Sequence, residues 1–123
     1  MRRIHHIHIK APDPGKTAAW WVEAFAFKIV SDEVRPFGDR FIRCTTEDGF
    51  AVTISGARTG ETLGPGDAAP HFGLEHVAFE SAAIEADIAR PDVAADLLHP
   101  DDRAGVLALD EQAAEAVARL VAS

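Results

Sequence analysis

The sequence predicts an α+β fold: a complete β-α-β-β-β module, then a shortened second βα-type module and a C-terminal helix. Three observations carry this. The chain opens on a short strand-like alternation, Ile4 to Lys10, followed by a helical period. Three more alternating segments follow, separated by turn residues. The stretch His71 to Glu80 then repeats the opening, with a histidine near the start, small residues after it, and a second helical segment. A strand-then-helix unit recurring in one small chain points to duplication.

In the first strand, Ile7 and Ile9 share a face with His5, while Ile4, His6 and His8 share the other. Asp13-Pro14 reads as an N-cap followed by proline at the first helical position. Ala18, Trp21, Val22 and Phe25 then form an apolar stripe at helical spacing, with Trp20 beside it. Phe27 to Val34 is a second strand, ended by Pro36 and Gly38. Arg40 to Thr46 is a third, with Ile42 and Cys44 facing the helix and Phe41, Arg43 and Thr45 on the concave side. Glu47-Asp48-Gly49 is a hairpin turn into Phe50 to Ser55, where Val52 and Ile54 alternate with Ala51, Thr53 and Ser55.

Gly56 to Pro70 has no period and reads as a linker or surface loop. In Phe72 to Glu80, Val77 and Phe79 oppose Leu74, His76, Ala78 and Glu80. Ser81 is placed to cap a helix running to Arg90. Beyond it, residues 91–100 read as helical and Val106 to Leu109 as a strand. Asp110 caps a C-terminal helix with Ala113, Val117, Leu120 and Val121 on one face. The organisation expected is a single domain over 1–123: residues 1–56 the first module, 57–71 a linker, 72–123 the shortened module and final helix. The missing strands leave a sheet edge open, and an open edge must be covered or paired. A homodimer is therefore expected.

Composition excludes several function classes. The formal net charge of −8 opposes binding to nucleic acid, whose phosphates need clustered Lys and Arg, and equally opposes an anionic membrane surface. No apolar run reaches bilayer-spanning length, and Met1-Arg2-Arg3 leads directly into a strand pattern. The single cysteine, Cys44, forms no internal disulfide and reads as a small buried hydrophobe. A cytoplasmic location is the expectation. His71 and His99 read as surface residues, and Glu75 points away from the face that carries His76.

Ile4-His-His-Ile-His-Ile-Lys-Ala-Pro-Asp13, the helix Ala18 to Phe25, and Gly73-Leu-Glu-His-Val-Ala-Phe79 together resemble the vicinal oxygen chelate superfamily. That superfamily includes glyoxalase I, fosfomycin-resistance enzymes, extradiol dioxygenases and bleomycin-resistance proteins. The resemblance covers residues 3–90 and gives out over 91–123. It implies paired β-α-β-β-β modules and, in the metalloenzymes, one histidine ligand from the first strand of each module. Those positions are His6 and His76, which would hold one divalent ion of zinc, nickel, manganese or iron. The family's carboxylate ligand lies four residues after an Asp-Gly turn. Here that position is Thr53 in the first module and, counted from Gly105, Leu109 in the second, and neither is an acid.

His8, Arg43, Thr53 and Glu80 are the candidate substrate-binding residues: His8 shares the His6 face, Arg43 offers a planar fork to an anion, and Glu80 shares the His76 face. Three functions stay open, in two groups. One is metal-dependent lyase, isomerase or dioxygenase chemistry on a small organic substrate. The other is metal-free sequestration of a small molecule, as in the bleomycin-resistance branch, or a degenerate dimerising module without catalysis.

Overall fold

The computed structural model describes residues 1–64, 72–74, 76–90, 106–107 and 117–122. The chain divides into two compact units, Met1–Pro65 and Gly66–Ser123.

The first unit is the β-α-β-β-β module. Strand β1 (His6–Lys10) is followed by helix α1 (Pro14–Phe25) and by β2 (Lys28–Val34), β3 (Arg40–Thr45) and β4 (Ala51–Ser55). The sheet order is β1-β4-β3-β2, with β1 parallel to β4 and the other pairs antiparallel. Helix α1 starts where the sequence places it: Asp13 accepts a hydrogen bond from the Lys16 backbone N–H, and Pro14 supplies the first turn. Its buried stripe is Pro14, Thr17, Ala18, Trp21 and Ala24. Val22, expected on that stripe, is 37% exposed. The helix is rotated toward its smaller residues, so that Trp21 fills the centre of the contact and stacks on Phe27 at 5.1 Å. Trp20 leans edge-on against Trp21 and Phe25.

The helix ends at Ala26, which adopts left-handed φ 54°, and the buried ring of Phe27 follows. Ile9, Ile42, Cys44, Val52 and Ile54 form the sheet side of the core, all fully or nearly buried. The β3–β4 turn has the expected form, with Gly49 at φ 91° and Thr46 bonded to Asp48 and to the Phe50 backbone N–H. Residues past β4 stay tied to this unit. The Gly56 N–H donates to Arg40 O, Thr59 N–H to Phe37 O, and Lys10 Nζ to Gly56 O and Glu61 Oε1.

In the second unit, β5 (His76–Ser81), α2 (Ile84–Ile88), β6 (Val106–Leu107) and β7 (Val117–Ala122) are described. The sheet order is β5-β7-β6, with β5 parallel to β7 and β6 antiparallel to it. This repeats the β1-β4-β3 arrangement strand for strand. Two expectations are corrected. The C-terminal helix is not formed over Val117–Ala122, which is a strand. Val-Ala-Arg-Leu-Val-Ala fits a two-residue period as well as a helical one, and pairing on both edges decides for strand. Ser81 is not the cap of α2, because it ends β5, paired with Ala122. Its hydroxyl instead accepts from the Ala83 N–H and donates to Asp87, bracing the turn before a helix that ends at Ile88. The helix expected over 91–100, the Asp110 cap, His71, Glu75 and His99 lie outside the described residues. Among the described residues no helix is long and apolar enough to cross a membrane.

Candidate functional site

Register fixes which side chains share the sheet face away from α1. His6 pairs with Ala51, His8 with Thr53 and Lys10 with Ser55 across the parallel β1–β4 ladder. On the far side of β4, Thr45, Arg43 and Phe41 pair with Ala51, Thr53 and Ser55. Directly paired residues lie on the same face. His8, Thr53 and Arg43 therefore form one row across three adjacent strands, with Lys10, Ser55 and Phe41 as the next row. The apolar positions of the same strands, Ile9, Ile42, Val52 and Ile54, face the helix. The polar row is thus free of any role in the core.

The contacts on this face are specific. His8 Nε2 lies 2.7 Å from Ser55 Oγ, and the His8 ring meets the edge of Phe41 at 5.3 Å. Ser55 is fully buried, and Thr53 is 7% exposed. Phe41 lies under two guanidinium groups, with Arg35 3.9 Å and Arg43 5.0 Å from its centroid. Arg35 makes a two-pronged contact with Asp39, a fully buried carboxylate at the β2–β3 turn. The Arg35 hydrogen bonds hold the Asp39 carboxyl below its ordinary range. Arg43 has a looser partner, Glu33 at 3.4 Å, and both side chains are more than half exposed. Burial, reinforced by the charges of Lys10, Arg35 and His6, lowers the His8 pKa below its ordinary 6.5, so the ring is neutral at neutral pH.

Of the residues singled out from sequence, His6, His8, Arg43 and Thr53 are brought onto one face. His6 is exposed, and its Nδ1 lies 2.8 Å from Nδ1 of His5. His76 opens β5 as His6 opens β1, and Glu80 is exposed farther along β5. Sequence reasoning assigned no role to Ser55, Phe41, Arg35 or Asp39. The signal for Ser55 was present, a second hydroxyl two residues from Thr53 on one face. Nothing in local pattern reveals that Arg35 and Asp39 would meet across a turn.

The donor set among the described residues does not complete a metal centre. Among the described residues no three His, Cys, Asp or Glu side chains converge. Thr53, beside His8 in the β1–β4 ladder, contributes a neutral hydroxyl and no carboxylate. The corresponding position in the second sheet is also identified by pairing. Thr53 pairs with the residue two beyond His6; the residue two beyond His76, Ala78, pairs with Arg119. Leu109, counted from the turn, lies outside the described residues.

A family model described as the Glyoxalase/Bleomycin resistance protein/Dioxygenase superfamily matches residues 3–93. No curated protein matches the sequence significantly. Among solved structures, a glyoxylase/bleomycin resistance protein/dioxygenase domain from Frankia sp. EAN1pec superposes with TM-score 0.73 at 15% identity, covering 100% of this chain and 93% of that one. The fosfomycin resistance protein FosX from Listeria monocytogenes, complexed with Mn(II) and sulfate ion, gives TM-score 0.74 at 14% identity, with 100% and 93% covered. The trypanothione-dependent glyoxalase I of Leishmania major gives 0.73 at 14% identity, with 99% and 87% covered. At these identities the likeness is one of fold.

Proposed function

Because this chain belongs to the Glyoxalase/Bleomycin resistance protein/Dioxygenase superfamily, we propose that it takes up a small organic molecule on the face of the first sheet away from α1. His8, Thr53 and Arg43 contact the ligand; Glu80, exposed on β5 of the second unit, is a separate candidate contact. The observation that carries this reading is the polar row itself. Three hydrogen-bonding side chains stand side by side on adjacent strands, none of them needed by the core. Thr53 is almost fully buried there, and a buried polar group without a structural task is more readily explained by binding. Amide chemical-shift mapping with a small-molecule library tests the reading. Hits should shift Thr53, Arg43 and His8; hits that all map to the α1 face refute it.

A second reading has its own support. His6 and His76 occupy the same first register position in equivalent parallel strand pairs, opposite Ala51 and Val117. In this reading the two imidazoles hold a divalent ion (zinc, nickel, manganese or iron) and the protein is a metal-dependent enzyme of the lyase, isomerase or dioxygenase kind. Metal analysis of untagged protein decides it. Stoichiometric metal lost in the His6→Ala/His76→Ala double variant supports this reading, and no metal after reconstitution with all four ions ends it. We also propose that residues 1–123 form a single domain and that the chain is a homodimer. The edge of β2, which no described strand pairs, carries Val30 and Val34 more than 60% exposed and supports the homodimer. Light scattering should give about twice the chain mass, and a monomer at high concentration counts against it.

A further inference from the structure

We propose that the row His8–Thr53–Arg43 is an oxyanion site that takes the carboxylate of a small organic acid without a metal ion. The inference rests on the reading that this face binds the ligand, and names the ligand's class.

Ser55 Oγ is fully buried, and among the described residues its one side-chain hydrogen-bond partner is His8 Nε2 at 2.7 Å. A serine hydroxyl has one proton to donate, and a buried donor without an acceptor is costly. The Ser55 proton therefore goes to His8 Nε2. The neutral imidazole then carries its own proton on Nδ1, the nitrogen away from Ser55. If the ring is charged, Nδ1 carries a proton as well. In either state His8 presents an N–H donor on the side not held by the strand.

The next member of the row is the Thr53 hydroxyl, which has no side-chain hydrogen-bond partner among the described residues. The third is the Arg43 guanidinium. It is 54% exposed, and Glu33 at 3.4 Å engages one of its five N–H groups. Adjacent strands are about 4.8 Å apart, so the backbone positions of the three residues span roughly 10 Å. Phe41 contacts both ends, edge-on to His8 and beneath Arg43, and offers an apolar wall beside the polar row. An imidazole N–H, a hydroxyl and a planar guanidinium in one row match a carboxylate, whose oxygens only accept. A metal cation would meet the Arg43 guanidinium, which is positively charged and has no lone pair to give.

The test uses benzoate, with benzamide as its uncharged counterpart, on the full chain dialysed against a chelator. Benzoate should bind at least about tenfold more tightly than benzamide, a difference of about 1.4 kcal/mol. Arg43→Gln, at an exposed position, and Thr53→Val should each reduce benzoate affinity toward the benzamide level. Nitrogen-15 NMR of His8 should show the Nδ1–H tautomer. Equal binding of the two probes at this face overturns the oxyanion site and leaves the ligand-binding face standing. Binding of neither probe overturns the proposal. Benzoate binding that requires added Mn(II) and disappears in His6→Ala overturns it in favour of the metal reading. An Nε2–H tautomer overturns the donor assignment to His8.

Discussion

Ala26 offers a sharp test of the helix terminus, because the substitution there should stabilise the protein. Ala26 ends α1 in the left-handed region at φ 54°, ψ 36°, with its N–H bonded to Trp21 O. Its side chain is exposed, so truncation loses no packing. A Cβ in this conformation costs about 1–2 kcal/mol through its clash with the following carbonyl. Glycine removes that cost but gives the unfolded chain extra freedom, worth about 0.4–1 kcal/mol. The balance favours Ala26→Gly by roughly 0.5–1 kcal/mol. With a urea slope of about 1–3 kcal/mol/M, the midpoint should rise by a few tenths of a molar to about 1 M. Two companions fix the sign. Ala19→Gly, on the exposed face of α1, should lower stability by about 1 kcal/mol. Gly49→Ala, at φ 91° with open space around an added Cβ, should also be destabilising, for backbone reasons alone. If Ala26→Gly and Ala19→Gly shift the midpoint downward alike, Ala26 is not left-handed and the helix does not stop there.

Acid should destabilise the first unit. Hydrogen bonds from Arg35 to Asp39 and from Arg40 to Asp32, and from the Arg58 backbone N–H to Glu61, hold the three carboxyls below their ordinary values of 3.8 to 4.5. An acid held low binds fewer protons when folded, so its stabilisation is complete above the ordinary value and is lost as pH falls through the lowered one. Urea midpoints should therefore drop below about pH 4.5, and Asp39→Asn should flatten part of the drop; an unchanged slope counts against the buried Arg35–Asp39 pair. Cys44, 1% exposed, has its thiol pKa pushed up by burial and by Asp32. It should resist a disulfide reagent in the folded protein and react as urea unfolds the chain, whereas fast labelling of the native protein would contradict its placement against the helix.

The first unit was legible because its decisions are local. Asp13-Pro14 starts the helix, Glu47-Asp48-Gly49 turns the hairpin, and two-residue alternation assigns Ile42, Cys44, Val52 and Ile54 to one face and Arg43 and Thr53 to the other. Register preserves that division, since a slip of one residue would expose the core set. Two of the misplacements came from competition that local pattern does not resolve. Val22 and Ala24 both border the stripe of α1, and the bulk of Trp21 decides which is buried. Val117–Ala122 satisfies two periods, and its partners β5 and β6 lie far away in sequence.

The duplication is therefore seen more clearly in pairing than in residue types. In both sheets the strand that opens on histidine lies parallel to a later strand, which is itself antiparallel to the strand beyond. Thr53 opposite His8 in one sheet corresponds by pairing to Arg119 opposite Ala78 in the other. Corresponding strand pairs thus carry unlike residues, and the repeat is preserved in the order of parallel and antiparallel pairing rather than in residue identity.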